Sequence, residues 1–213
     1  LRAEAGVASA KLARFSVQQG LRGAEFLAGV PGTVGGALAM NAGAFGGETW
    51  NVVTAVETMD HSGQIRTRLP SDYQIGYRSV QGPAGEWFVA GHFALTPGNE
   101  AEGQALIKSL LAKRGATQPT QWPNAGSVFR NPPGDYSARL IERTGLKRFC
   151  IGGACVSELH ANFIINTGSA TAADIETLIE VVRDKVYAAQ GVRLETEVRV
   201  IGDRQPQAAD EHR

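Results

Sequence analysis

Residues 23–48 read GAEFLAGVPGTVGGALAMNAGAFGGE, and this stretch decides the fold. It is too rich in glycine for a core helix and too apolar for a free linker. Glycine costs backbone entropy, so such a cluster indicates tight turns, positive φ or close approach of the backbone to a ligand. The small residues of PGTVGG, 31–36, could direct several N–H groups at an anion. The stretch lacks both GxGxxG spacing and a P-loop lysine, so glycine-rich turns between short strands explain it equally well.

The composition is that of an ordinary globular protein, with 213 residues of which 43% are hydrophobic and 20% charged. Lysine plus arginine and aspartate plus glutamate are both 21, so we expect no nucleic-acid partner. No apolar run reaches the length of about 18 residues that a membrane-inserted helix needs. The opening residues, LRAEAGVA, resemble the middle of a folded domain, and we expect the protein to continue upstream of Leu1.

The spacing of apolar residues and the positions of glycine and proline predict both helices and strands in the first half of the chain. Ser9 is the expected N-cap of the first helix and Gly20 its end. Leu106, Ile107, Leu110 and Leu111 predict an apolar stripe on a second helix. The proline-containing segment 116–126 is the expected domain boundary. The predicted elements are a helix at 9–19, a β-hairpin of 51–60 with 64–69, a strand at 87–96 and a helix at 99–115.

The second half carries a strong turn at 131–134, NPPG, and its clearest helix at 171–190. Thr171 and Asp174 resemble a capping box for that helix. The remaining predictions are a helix at 136–144, short buried strands within 150–166 and a last strand at 192–201. Because strands and helices mix without strict alternation, the pattern favours an α+β fold in two domains.

The chain has two cysteines and four histidines, and their small number limits the metal and redox chemistry that it could support. Cys150 and Cys155 flank IGGA with no further ligands close in sequence, and the histidines show no ligand spacing, so no metal site is expected. Reduced thiols in a cytosolic protein are the preferred interpretation, with a disulfide across the short loop as the alternative.

The residues suited to chemistry are isolated along the sequence, and only a fold could bring them together. AGSVF at 125–129 is not a GxSxG nucleophile elbow. Glu195, Glu197 and Arg199 would share one face of the predicted last strand, which by itself favours a solvated charge stripe. A lone Arg78 likewise favours a solvated side chain. The other candidates are Ser127, Asn131 and His160.

Five motifs in a fixed order resemble the UDP-N-acetylenolpyruvoylglucosamine reductases over roughly residues 5–201. They are the glycine-rich stretch itself, GYRS, NAGSVFRNP, IGGACVSELHANFIIN and LETEVRVIG. The resemblance implies an incomplete FAD-binding domain of the vanillyl-alcohol-oxidase type at 1–115. It also implies a smaller α/β substrate domain at 116–201, whose last strand returns to the active site, and a polar tail at 202–213.

The same resemblance implies the site residues. Arg78, Ser127 and Glu197 match the family's catalytic residues, and Asn131 and His160 match its substrate-binding segments, with Asn162 beside them. The residues implied to line the FAD are Pro31, Gly32, Thr33, Gly35, Gly36, Asn41, Gly43 and Gly46.

The implied reaction is the NADPH-dependent, FAD-mediated reduction of an enolpyruvyl ether to UDP-N-acetylmuramate. Arg78 would stabilise charge on the substrate, and Ser127 would donate a proton to its C2. Glu197 would bind the substrate carboxylate as an acid, orient Arg78 or orient a water. This is a cytoplasmic step of peptidoglycan synthesis, tied to cell-wall biogenesis, cell shape, the cell cycle and cell division, and a monomer is expected. The alternatives are another FAD-linked oxidoreductase of the same fold and a non-catalytic fragment.

The chain departs from the family pattern in two places. No tyrosine lies between Arg78 and Ser127, so the chain resembles the subtype without a tyrosine-bearing loop over the substrate. The family's glycine- and serine-rich phosphate-binding loop is expected upstream of Leu1.

Overall fold

The computed structural model describes residues 1–202, which fall into two compact units that divide between Arg114 and Gly115. The division lies beside the proline-containing segment in which the boundary was predicted. The roles assigned to the two domains stay predictions at this point. The predicted polar tail lies, from residue 203 onward, outside the described residues.

The N-terminal unit is built around a four-stranded antiparallel sheet of order β1-β9-β5-β6. The predicted hairpin is confirmed as β5 with β6. The strands of this unit are β1 (Arg2–Glu4), β2 (Leu21–Arg22), β3 (Gly43–Ala44), β4 (Gly47–Glu48), β5 (Val53–Asp60), β6 (Ile65–Arg68), β7 (Gln74–Gly76), β8 (Ser79–Gln81), β9 (Glu86–Phe93) and β10 (Thr96–Pro97).

Three α-helices accompany this sheet: α1 (Ser9–Gln18), α2 (Val34–Met40) and α3 (Glu100–Thr117). The expected N-cap role of Ser9 is wrong, because Ala8 is the N-cap and the Ser9 N–H bonds the carbonyl of Gly32 at 3.0 Å. The predicted apolar stripe of α3 is confirmed in part. Ile107 is buried in the core, Leu111 packs against that core, and Leu110 is half-buried, whereas Leu106 is exposed.

The glycine-rich stretch folds into short elements that pack on one another. A 3₁₀ turn at Glu25–Gly29 is followed by α2 and then by the β3–β4 hairpin. The hairpin turn has positive φ at both Phe45 (54°) and Gly46 (85°), as a tight two-residue turn requires. A Cβ on Gly47 would lie 2.7 Å from Cγ of Phe26, so this glycine is needed for packing.

The C-terminal unit is a second antiparallel sheet, of order β11-β14-β13-β12, packed with two helices. Its elements are β11 (Asn124–Ser127), α4 (Ser137–Arg143), β12 (Cys150–Ile151), β13 (Ala154–Val156), β14 (Phe163–Asn166) and α5 (Ala172–Gln190). The capping box of α5 is confirmed: Thr171 Oγ1 accepts from the Asp174 N–H at 3.1 Å, and Asp174 Oδ2 accepts from the Thr171 N–H at 2.9 Å.

The predicted last strand at 192–201 is wrong. The segment after Gly191 is irregular and pairs with Phe129 through an isolated bridge at Thr196. The N–H groups of both Glu197 and Val198 approach the carbonyl of Val128, at 2.8 and 3.4 Å. Two consecutive amides on one acceptor bend the chain and interrupt a ladder, so the alternation in the sequence is not realised as a strand.

The expectation of reduced thiols is also wrong for this structure. Cys150 and Cys155 are directly opposite residues of the β12–β13 hairpin, with Cα atoms 4.1 Å apart, and form a disulfide. The hairpin turn at Gly152 and Gly153 sets this register, which sequence separation alone does not show. No helix within residues 1–202 has the length and apolar character needed to cross a membrane.

Candidate active site

Arg78 occupies the turn between β7 and β8 with φ of 52°, a backbone region that residues other than glycine enter rarely. Its side chain is half-buried, and the guanidinium turns back onto the end of α2. Nη2 donates to the carbonyl of Gly43 at 3.0 Å, and Nη1 donates to the carbonyl of Asn41 at 3.5 Å. Positive φ at an ordered side chain indicates that the surrounding structure holds this turn against its own preference.

Asn41 holds that surrounding structure together. It is 2% exposed and takes the left-handed conformation that ends α2. Its Nδ2 donates to Glu48 Oε2 at 2.9 Å and to the carbonyl of Gly76 at 3.1 Å, and its Oδ1 accepts from the Trp50 N–H at 3.1 Å. The end of the helix, the hairpin and the strand leading to Arg78 are thus tied at one buried amide.

The amides expected to hold an anion are used mainly inside the protein. The N–H of Val34 donates to Val7 and that of Gly35 to Ala5, at 2.8 and 2.9 Å. The N–H of Gly36 reaches Thr33 Oγ1 at 3.4 Å, which is a cap on α2. The N-terminus of this short helix therefore has fewer N–H groups available to a ligand than its glycines suggest.

The stretch nevertheless fits a flavin along its exposed edge. A Cβ on Gly32 or Gly46 would have no atom within 4 Å, and on Gly36 it would meet Thr33 Oγ1 alone, at 3.9 Å. Bare, exposed backbone of this kind admits a large flat group. By contrast, a Cβ added to Gly35 would lie 3.0 Å from Cβ of Ala5, and one added to Gly43 would lie 2.5 Å from the carbonyl oxygen of Gly47. These two glycines therefore face the protein and not open space.

Ser127 ends β11 and is half-buried. Gly126, with φ of 83°, precedes it, and the register of the sheet shifts between Asn124 and Ser127. A bulge of this kind re-aims a side chain at the edge of a sheet. Ser127 pairs with Phe163 of β14 and so lies on an ordered strand.

The structure brings the backbone of Glu197 against Val128, the residue after Ser127. The Glu197 N–H donates to the carbonyl of Val128 at 2.8 Å, and the Arg130 N–H donates to the carbonyl of Glu195 at 2.9 Å. Residues 195–198 therefore run along residues 128–130. Glu197 is half-buried, whereas Glu195 and Arg199 are exposed. These two exposed residues do not share an ordered strand face with Glu197, as the sequence had indicated.

Asn131 and His160 lie in different surroundings within the C-terminal unit. Asn131 is exposed and its Oδ1 accepts from the Ser137 N–H at 3.1 Å, at the start of α4. His160 Nδ1 accepts from the Asn162 N–H at 3.3 Å, and its ring stands edge-on to Phe163 with centroids 4.8 Å apart. Burial lowers the pKa of His160 below its ordinary value, so the neutral ring is favoured.

In each unit, one further polar residue holds backbone next to the predicted site residues, a role that the sequence did not assign to it. Asn162 is 3% exposed, and its side chain bonds both the N–H and the carbonyl of Phe129, at 2.9 and 2.8 Å. Glu48 holds Asn41. The resemblance placed Asn162 beside His160, and its position within a buried run is a second sequence signal, whereas Glu48 closes the glycine-rich stretch with no signal of its own. Residues 1–202 contain no group of three or more histidine, cysteine or acidic side chains that could hold a metal.

Two family models match the chain, one in each unit. The model described as "FAD binding domain" matches residues 1–68, and the model described as "UDP-N-acetylenolpyruvoylglucosamine reductase, C-terminal domain" matches residues 118–201. Together they confirm the predicted fold class, an FAD-binding domain followed by the substrate domain of that family.

Curated relatives align over almost the whole chain. It is 61% identical over 203 residues to the UDP-N-acetylenolpyruvoylglucosamine reductase of Alkalilimnicola ehrlichii, covering 95% of this chain and 68% of the relative. Identity to the Methylococcus capsulatus reductase is 60%, covering 95% and 67%. The crystal structure of the Thermus caldophilus reductase superposes with a TM-score of 0.83 at 33% identity, covering 93% of this chain and 71% of that one.

Proposed function

The chain belongs to the UDP-N-acetylenolpyruvoylglucosamine reductase family, and we propose that Arg78, Ser127 and Glu197 carry out the family's reaction in it. Membership makes the chain an oxidoreductase that uses FAD and NADPH to reduce the enolpyruvyl ether of its nucleotide-sugar substrate in peptidoglycan synthesis. The observation that carries the assignment of residues is the pairing of Glu197 with Val128, next to Ser127.

The demands on the protein follow from the substrate. When bound, FAD supplies C3 of the enolpyruvyl ether with a hydride taken from NADPH. An unactivated enol ether accepts hydride only if the charge that develops on C2 and its carboxylate is stabilised. The protein must therefore supply a fixed cation, a proton donor at C2 and a way to renew that proton.

Arg78 meets the first demand. Its guanidinium is planar and presents several donors, and two backbone carbonyls orient it at the end of α2. Because those carbonyls and the buried Asn41 determine its position before substrate arrives, little reorganisation is needed when charge develops. We assign it the substrate carboxylate and the enolate-like oxygen.

Ser127 and Glu197 meet the other two demands, for a proton donor at C2 and for a way to renew its proton. Ser127 donates its proton to C2, and its pairing with Phe163 fixes the backbone that carries the hydroxyl. A hydroxyl is a weak acid, so it needs a partner that restores its proton. Glu197, whose backbone pairs with Val128 on the neighbouring segment, is our proposed partner, orienting a water that restores the proton.

The binding residues divide into contacts and framework. We propose that the exposed Pro31, Gly32, Thr33, Gly36 and Gly46 contact FAD. Gly35, Asn41 and Gly43 have internal contacts and shape the backbone behind them. Asn131 and His160 bind the nucleotide sugar. We further propose that the protein acts in the cytoplasm as a monomer.

Flavin spectroscopy on the purified chain tests this function. We expect bound FAD to lose its visible absorbance when NADPH is added without oxygen, and to regain it when the enolpyruvyl substrate follows. UDP-N-acetylglucosamine, which lacks the enolpyruvyl ether, is the control and should restore nothing. Bleaching that the substrate does not reverse would favour another FAD-linked oxidoreductase, and failure to take up FAD would favour a non-catalytic fragment.

A further inference from the structure

A basic groove lies on the C-terminal unit. It has a volume of about 550 Å³ and is lined by Arg130, Arg183, Arg193, Leu194, Glu195 and Thr196. None of its three arginines has a role in the reaction as described above.

Separate elements bring these arginines to one place. Arg130 is held by the pairing of its N–H with the carbonyl of Glu195 at 2.9 Å. Arg183 belongs to α5, and Arg193 follows Gly191, whose φ of 70° turns the chain at the end of that helix. Leu194, 2% exposed, anchors the returning segment in the core. The convergence is therefore a product of the fold and does not rest on mobile side chains alone.

The positive charge of the groove is poorly compensated. Within residues 1–202, neither Arg130 nor Arg193 forms an ion pair, and the Nε of Arg183 lies 3.6 Å from Asp184 Oδ1, too far for a hydrogen bond. The Nε atoms of Arg130 and Arg183 are buried and lack a hydrogen-bond partner among the described residues. Glu195 is the one acidic residue in the lining.

Such an arrangement is unfavourable unless an anion is present. Exposed arginines are usually solvated and contribute little, but the Nε atoms of Arg130 and Arg183 are desolvated without a hydrogen bond, and the counter-charge of Arg183 is the exposed Asp184 at 3.6 Å. Their buried stems have already lost rotamer freedom, which lowers the entropy cost of holding a ligand. Forked guanidinium donors match the oxygens of a phosphate group.

We propose that this groove binds a phosphate-type anion carrying two or more negative charges, a diphosphate in particular. Three arginines set against Glu195 in the lining and the exposed Asp184 beside Arg183 leave an excess of one positive charge, and three forked guanidinium groups suit an anion with several charged oxygens. Free pyrophosphate and the diphosphate of a nucleotide both carry such a group of negatively charged phosphate oxygens. The inference concerns binding alone and does not depend on the proposed reaction.

Calorimetric titration of the full chain with inorganic pyrophosphate tests the proposal, without NADPH or enolpyruvyl substrate. We expect saturable binding to one site that weakens as salt is raised. Arg130→Gln and Arg193→Gln should each weaken it by about tenfold or more, the usual effect of losing a charge-assisted hydrogen bond. Arg193→Lys should restore part of the affinity. Arg143→Gln, on the exposed end of α4, is the charge-matched control and should bind as the parent does.

A second titration with UDP in competition identifies the source of the anion. Displacement of pyrophosphate by UDP assigns the groove to a nucleotide diphosphate, and pyrophosphate binding that UDP leaves intact assigns it to a free anion. The proposal is overturned if pyrophosphate shows no saturable binding, or if Arg143→Gln weakens binding as much as Arg193→Gln. Circular dichroism of each variant establishes that a loss of binding is not a loss of fold.

Discussion

The backbone N–H of Glu197 donates a 2.8 Å hydrogen bond to the carbonyl of Val128, the residue that follows Ser127. This one bond joins two segments of the C-terminal unit that lie far apart in the sequence. It brings together the two segments that carry the proposed proton donor, Ser127, and its proposed partner, Glu197. It also places them on backbone that the Phe129–Thr196 bridge and the buried Asn162 amide keep in order.

Replacing Ser127 should separate the two half-reactions. In Ser127→Ala, flavin reduction by NADPH is expected to proceed at the parent rate, because no proton is delivered to substrate in that step. Reoxidation by the enolpyruvyl substrate should slow by about 10²–10⁴, the usual cost of losing a positioned proton donor. Stopped-flow absorbance measures both rates, with Ser109→Ala on the exposed face of α3 as control. Equal slowing of both half-reactions would refute the assignment.

Arg78→Lys tests geometry separately from charge. Lysine retains the positive charge but not the planar fork, so the two carbonyl contacts and the substrate contact cannot all be kept. We expect reoxidation by substrate to slow by about 10²-fold or more, as when a preorganised donor is lost. The unfolding midpoint should change little. Parent-like turnover would show that charge alone suffices and that the anchored fork is unnecessary.

Gly36→Ala asks whether the exposed edge of the glycine-rich stretch contacts FAD. Gly36 lies in α2, and an added Cβ would meet nothing closer than Thr33 Oγ1 at 3.9 Å. Alanine should therefore stabilise the FAD-free protein, by up to about 1 kcal/mol. The affinity for FAD, measured by fluorescence titration, should nevertheless fall.

Gly115→Ala is the matched control for that experiment, since Gly115 is also helical and also has open space around it. It should leave FAD affinity unchanged. If Gly36→Ala binds FAD as tightly as the parent, this position does not approach the cofactor.

Asn41→Ala should weaken the framework behind Arg78. Its loss removes the bonds to Gly76, Glu48 and Trp50 and leaves buried groups unsatisfied, at a cost of about 1–3 kcal/mol each. Asn41→Gly loses the same bonds but suits the left-handed conformation, so it should be more stable than Asn41→Ala by up to about 1 kcal/mol. Chemical denaturation measures both. An Asn41→Ala protein as stable as the parent would contradict the structural role.

The stability of the protein should fall as pH drops through the range in which His160 titrates. Burial lowers its folded-state pKa below 6.5, so the unfolded chain binds the proton more readily. At pH values above the pKa of His160 in the unfolded chain, this residue does not affect stability. Stability declines as pH falls below that pKa toward the lower pKa of the folded state. Denaturant unfolding between about pH 5 and 8 measures this decline.

The difference between the parent and His160→Gln isolates the contribution of this one residue. His160→Gln should decline less over the same range, and His61→Gln, in an exposed turn, is the control. Identical pH profiles for the parent and His160→Gln would argue against a folded-state penalty at His160.

The sequence alone determined the features whose causes are local. The helix α5 follows from its periodicity, its Thr171–Asp174 capping box and its terminal Gly191, all within one element. The β5–β6 hairpin follows in the same way from alternation around a short turn. The family and its reaction were also recoverable, because the order of five motifs is a property of the sequence itself.

Only the tertiary structure decided the features that depend on distant backbone. The last strand was lost because two amides share the carbonyl of Val128, and the disulfide arose because a hairpin register places Cys150 opposite Cys155. Gly47 is required by a ring of Phe26, and the amide of Asn41 by a strand far along the chain. Such contacts form between residues remote in sequence, so composition and spacing carry no signal for them.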